Sequence, residues 1–181
     1  ALNIALKAVL DPGDEVILLA PYFPEYVYYV DNHAATPRSV DTDEDFEPDV
    51  ERIAAAINPR TRVVMINSPN NPSGRLYRER TLRALGEVLA AASRQFGRVI
   101  WLLSDEPYMR LIYDRTPPPP VFQAYPETII CTSYSKDLSL PGERIGYACA
   151  NPRSPYAEPV VSAMAFANRV LGFINAPALQ Q

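Results

Sequence analysis

The feature that most constrains this chain is a set of short apolar runs that do not alternate. EVILLA at Glu15–Ala20 is apolar at almost every position. A strand with one wet face alternates apolar and polar side chains; a strand covered by helices on both faces reads as a nearly continuous apolar run. Further strand-like runs occupy residues 62–67, 99–103, 128–132 and 145–150, with a short one at 36–40. Helical patterns lie between them. Residues 1–10 put Leu2, Leu6 and Val9 on one face and stop at Asp11-Pro12-Gly13-Asp14. Val50, Ile53, Ala54 and Ile57 follow helical spacing before Asn58-Pro59, and Leu82, Leu85, Leu89 and Ala92 mark one face of residues 78–94. Residues 156–171 read as a helix with Val160, Met164 and Leu171 facing inward. Strands alternating with helices predict one α/β domain over residues 1–181, a three-layer α/β/α sandwich with a mostly parallel sheet. Right-handed crossovers then bring the carboxyl ends of the strands to one rim, where ligands bind.

The remaining stretches are punctuation. Residues 21–30 are aromatic-rich and compatible with a helix that lines Tyr26, Tyr28 and Tyr29 against the sheet. Acidic residues 41–49 form a solvated loop, and Pro48 suits the first turn of a helix. Pro117 to Pro120 make a stiff surface connector. A net charge of −4 leaves no broad basic surface, so nucleic acid is not an expected partner. Cys131 and Cys149 each lie in an apolar run and read as reduced core thiols; a disulfide is unforced. A single histidine, His33, and two separated cysteines give zinc no credible ligand set, and His33 reads as a surface loop residue. No apolar stretch reaches membrane-spanning length and nothing at the start resembles a signal peptide, which a truncated N-terminus would have lost; a cytoplasmic protein is expected. The sequence begins at Ala1, directly in a helical pattern, which leads us to expect a piece of a longer protein cut in mid-domain.

Polar residues fall on the expected rim. The loop SPNNPSG follows one strand and carries Asn71; Asp105 and Tyr108 follow a second; Ser133 and Lys136 follow a third, with Arg144 eight residues beyond the lysine. Each group has an ordinary reading too: Asp105 as a helix N-cap, Asn71 as a turn former, Tyr108 and Phe23 as core aromatics, Arg144 as a surface ion-pair partner. Ser135, Asn70, Tyr22 and Ser73 read as loop-shaping. Together, an amine, an acid, a phenol, an amide and an anion clamp suit pyridoxal 5'-phosphate. Its aldehyde condenses with a lysine, its ring nitrogen needs a carboxylate to stay protonated, and its phosphate needs Arg and hydroxyls.

The segments DPGDEVILLAPYFPEY, INSPNNPSG, LLSDEPYMRLIYD and SYSKDLSLPGERIGY resemble, in order and spacing, the fold-type I aminotransferases of class I/II, relatives of aspartate and aromatic aminotransferases. The resemblance implies that residues 1–181 are the cofactor-binding large domain without its N-terminal portion and without the C-terminal small domain. It implies a Schiff base on Lys136, which also shuttles the proton, and a pairing of Asp105 with the pyridinium. Tyr108 and Asn71 would bond the ring's phenolate oxygen, Ser133 and Arg144 would hold the phosphate, and Phe23 would stack on the ring where relatives carry Trp or Tyr. Amino acids and 2-oxo acids would be the substrates of a homodimer.

Departures from the family pattern are equally informative. The Gly/Ser/Thr-rich turn that supplies backbone N–H groups to the phosphate lies upstream of this sequence, and the arginine for the substrate carboxylate lies in the small domain. Residues 1–181 alone are therefore expected to have negligible transaminase activity. The same residue set also serves C–S lyases and ring-closing synthases, and non-catalytic sensor domains of transcription regulators share the fold.

Overall fold

The computed structural model describes residues 1–113 and 116–171. Among them, strands β1 (Glu15–Ala20), β2 (Thr36–Asp41), β3 (Thr61–Asn67), β4 (Trp101–Asp105), β5 (Thr128–Ser133) and β6 (Gly146–Ala150) form one sheet in the order β2-β1-β3-β4-β5-β6. The first five strands are mutually parallel, and β6 runs antiparallel to β5. The sheet is mostly parallel, as the non-alternating runs require.

Period-2 alternation sends side chains to two separate cores. Val16, Leu18, Val63, Met65, Trp101, Leu103, Ile129 and Cys131 belong to one, packed against α1 (Leu2–Val9), α2 (Glu25–Asp31) and α6 (Ala157–Val170). Ile17, Leu19, Val64, Ile66 and Leu102 belong to the other, under α3 (Val50–Ala56), α4 (Glu79–Phe96) and α5 (Val121–Ala124). Helices on both faces make the three layers. All four expected inward residues of α4 are buried, and Gly97, with φ 63°, closes that helix. α5 was not anticipated. It is a four-residue helix directly after the proline connector, too short to show a period.

Three details correct the sequence reading. Leu171 is 44% exposed, and Ala167 takes the inward place on α6 after Val160 and Met164. On α3, Ala54 is exposed and Ala56 is buried beside Ile53. Strand β4 begins at Trp101 and extends to Asp105, so Asp105 is the last rung of a strand and not a helix cap. Cys131 and Cys149 are free, and their register partners, Ala148 and Ile130, place them on opposite faces of the sheet. Among the described residues no helix is long and apolar enough to cross a membrane.

The amino rim of the sheet is fastened by charges. Glu15 is 4% exposed and meets Arg60 at 2.6 Å and the Asn58 amide at 2.7 Å. Burial alone would raise its pKa, but Asn58, Arg60 and Arg38 outweigh burial and hold it below the ordinary value. Arg62 donates to the carbonyls of Val9 and Val99 at 2.9 and 2.8 Å, tying α1 to the entry of β4. With one rim fixed this way, the opposite rim is free to present loops.

Gly86 marks the tightest helix contact. A Cβ at this position would fall well inside the contact distance of the Ala124 carbonyl, where α4 crosses α5. Ala for Gly in an exposed helix gains about 1 kcal/mol. Here Gly86→Ala is expected to destabilise by about 2 kcal/mol, because two backbones must separate. Urea unfolding measures the difference, and a gain in stability would show that the contact does not form.

Candidate active site

The same alternation that builds the two cores decides which polar residues meet. Asn67 follows Val63 and Met65 on β3, Asp105 follows Trp101 and Leu103 on β4, and Ser133 follows Ile129 and Cys131 on β5. All three therefore end on the α1/α2/α6 side of the carboxyl rim. Asn67 and Asp105 are register partners, the last rung of the β3–β4 ladder.

Beyond that rung the backbones separate, and side chains take over the bonding. The Asn67 amide donates to the Asp105 carbonyl at 2.8 Å and accepts from the Asn71 N–H at 2.6 Å. Asn71 Nδ2 then donates to the Tyr108 hydroxyl at 3.4 Å. Lys136 lies in the turn after β5, and its Nζ stands 5.9 Å from the centroid of the Tyr108 ring. Three loops thus meet around Tyr108.

From the helical layer, Tyr26 on α2 donates its hydroxyl to Asp105 Oδ2 at 2.5 Å. Phe23 packs edge-on to Tyr26 with ring centroids 5.6 Å apart, and Tyr29 tilts against Tyr26 at 6.4 Å. Burial pushes Asp105 up to about 6, and the Tyr26 hydrogen bond pulls it part of the way back. Tyr26 itself is driven up by burial and by the Asp105 charge, so it remains a hydrogen-bond donor. Asp105 thus offers a carboxylate with one oxygen anchored, in a setting where a cation at the other oxygen would lower its pKa further.

Asn71, Tyr108 and Lys136 are in direct succession, while Asp105 joins them through Asn67, and Phe23 through Tyr26. Ser133 closes β5 opposite Gly146. Arg144 adopts a left-handed backbone, φ 53°, after a 3-10 turn at Pro141–Glu143 and donates to the Pro141 carbonyl at 3.0 Å. Burial and Glu25 push the Tyr29 hydroxyl up to about 12, and the positive charge of Arg144 opposes that rise. Two site residues escaped the sequence reading. Tyr26 was one of several tyrosines on a helix, and its spacing from Phe23 was the only available signal. Asn67 was a strand-end amide without a visible partner.

Glu106, next to Asp105, points to the other face. It accepts from Ser104 Oγ at 2.7 Å and lines a cavity of about 80 Å³ with Thr132, Tyr134, Asp137 and Tyr147. Burial pushes it up to about 7. The folded state therefore holds this proton at pH values where the unfolded chain has released it, so its contribution to stability is full below about 4.5 and lost as pH rises through about 7. Glu106→Gln is expected to gain about 2 kcal/mol at pH 8 and almost nothing at pH 4, measured by urea unfolding at both pH values. On the site face, Tyr26→Phe removes the donor to Asp105. The Asp105 titration, followed by carboxyl carbon resonance in the cofactor-free chain, is expected to move up by about one unit. An unmoved midpoint would show that the hydroxyl does not control the acid.

Comparison with known proteins places the chain in a family. The profile of the aminotransferase class I and II family matches residues 1–180. A probable aspartate/prephenate aminotransferase of Thermus aquaticus is 44% identical over 151 residues, covering 82% of this chain and 38% of that protein. An aspartate aminotransferase of Geobacillus stearothermophilus is 38% identical over 159 residues, covering 84% of this chain and 39% of that protein. An aminotransferase crystal structure from Eubacterium rectale superposes with a TM-score of 0.94 at 42% identity, covering 99% of this chain and 46% of that one. The chain spans less than half the length of each of these proteins. With the family profile matching nearly the whole length and the fold superposing on a solved aminotransferase, the chain belongs to the class I and II aminotransferases.

Proposed function

We propose that this chain is the cofactor-binding part of a pyridoxal 5'-phosphate-dependent aminotransferase that moves an amino group between an amino acid and a 2-oxo acid. The observation that carries the reading is the juxtaposition at the carboxyl rim. A shielded acid is anchored on one oxygen by Tyr26, and an amide, a phenol and a primary amine succeed one another beside it. Pyridoxal phosphate supplies an aldehyde that exchanges amines and a protonated pyridine that accepts electrons.

The residues fit that group by type. Asp105 is an acid whose charge burial disfavours, and a pyridinium nitrogen would both stabilise that charge and be held protonated by it. The Tyr108 hydroxyl and the Asn71 amide are donors suited to a phenolate oxygen. Lys136 Nζ would be the amine that holds the aldehyde, and as a free amine it would be the base that moves a proton at the substrate carbon. Ser133 and Arg144 are assigned to the phosphate and Phe23 to the ring face. Aspartate, named in the relatives above, is the first amino donor to test. A homodimer in the cytoplasm is the assembly and compartment we assign, in line with two free thiols.

The full-length chain, incubated with pyridoxal phosphate and reduced with borohydride, is expected to carry the cofactor's mass on Lys136 in peptide mass spectrometry, and Lys136→Ala is expected to carry none. Label on another lysine would overturn the assignment. Release of pyruvate and ammonia from cystathionine without amino exchange would replace a transferase with a lyase.

A further inference from the structure

Resting on the pyridoxal phosphate reading above, we infer that Asn67 is a positioning residue that fixes both ends of the cofactor ring at once through its single amide. The Asn67 side chain is buried, 3% exposed, at the end of β3. Its Nδ2 donates to the Asp105 carbonyl at 2.8 Å and its Oδ1 accepts from the Asn71 N–H at 2.6 Å. Asp105 is the residue assigned to the ring nitrogen; Asn71, with Tyr108, is assigned to the phenolate oxygen on the ring. One amide therefore sets the spacing between two loops that grip opposite parts of one heterocycle.

The orientation of that amide is fixed by its partners. Turned over, it would set its oxygen against the Asp105 carbonyl and its NH₂ against the Asn71 N–H, two repulsions in place of two bonds. The position also has no backbone alternative. Asn67 and Asp105 form the last rung of the β3–β4 ladder, so neither the Asp105 carbonyl nor the Asn71 N–H finds a strand partner beyond it. No other residue type offers a donor and an acceptor in one plane at this length, since Asp has no donor and Leu has neither. Asn67 touches neither the cofactor nor the substrate in this assignment, and its effect travels through Asn71 and Asp105.

The two consequences are separable. Donors to the phenolate oxygen favour its ionised form, so displacing Asn71 raises the pH midpoint at which the bound cofactor's visible absorption changes. Displacing the Asp105 backbone weakens the hold on the ring as a whole. A change that merely loosened the fold would lower the melting temperature without moving the spectral midpoint.

The test uses the full-length chain loaded with pyridoxal phosphate, with borohydride trapping on Lys136 in the unmodified protein as its baseline. Asn67→Leu, similar in volume and unable to bond, is expected to raise the spectral midpoint by about one unit and the cofactor dissociation constant about tenfold. In an Asn71→Ala background, where no amide is left to misplace, Asn67→Leu is expected to leave the midpoint unmoved. In the cofactor-free protein, exchange of the Asn71 amide hydrogen is expected to accelerate at least about tenfold on the same substitution. If Asn67→Leu does not fold, Asn67→Ser, too short to span the two loops, is read in its place. A labelled Lys136 with an unmoved midpoint in the variant overturns the role of Asn67 alone. An unlabelled Lys136 in the unmodified protein overturns the cofactor reading, and with it any role of Asn67 toward that ligand.

Discussion

A carboxylate held away from water at the end of a central strand is the constraint around which the carboxyl rim is built. Asp105 closes β4, which lies between β3 and β5 and is covered by helices on both faces. Desolvation there disfavours the charged form, and the Tyr26 hydroxyl at 2.5 Å recovers only part of the loss. The donor comes from α2, far away in sequence, so α2 must seat Tyr26 in the core beside the end of β4 before the acid has this partner. Site and core are therefore not separable in this fold. The helix that buries the sheet is also the one that orients the acid.

The two rims of the sheet treat buried acids in opposite ways. Glu15, at the amino rim, is surrounded by Asn58, Arg60 and Arg38 and has its pKa held below the ordinary value. Asp14 beside it is paired with Arg98 at 2.7 Å. Acids that are paired in the folded state stabilise it at neutral pH. Asp105, at the other rim, is desolvated by burial and only partly relieved by its Tyr26 hydrogen bond, so it is left above its ordinary value. An acid left in that condition costs stability in the empty protein and gains most from a cation that arrives later. The division is the one expected of an α/β sheet whose ligands bind at the carboxyl ends of its strands.

The sequence was most legible where a residue's role depends on its own position in a strand or loop. Non-alternating runs announced a covered parallel sheet, and strand ends announced that Asn71, Asp105, Tyr108 and Lys136 share one rim. The reading failed where a role depends on a distant partner. Tyr26 lies 79 residues from Asp105, and nothing in EYVYYV separates the buried Tyr26 from the exposed Tyr28. Asn67 carries no local mark either, because its importance begins only where the β3–β4 ladder ends. Small apolar residues misled as well. Ala54 and Ala56 are interchangeable in a pattern, and the fold buries only one of them.

Consecutive residues serve opposite faces in two loops of this rim. Asp105 faces the α2 side, and Glu106 turns to the far side, where it meets Ser104. Lys136 Nζ stands by Tyr108, while Asp137 is engaged by Arg110 at 3.5 Å. Glu106, Arg110 and Asp137 line the same far-side cavity, and Thr132 Oγ donates to the Glu106 carbonyl at 2.9 Å, binding the β4 loop to β5. Each loop is thus held by its second residue and presents its first. An amine on a long flexible stem is positioned only as well as its backbone. The far-side pairing supplies that control for Lys136, which no contact on the site face other than Tyr108's ring is seen to provide among the described residues. It follows that the acid and the amine at this rim owe their relative placement to bonds made behind the sheet as much as to those made in front of it.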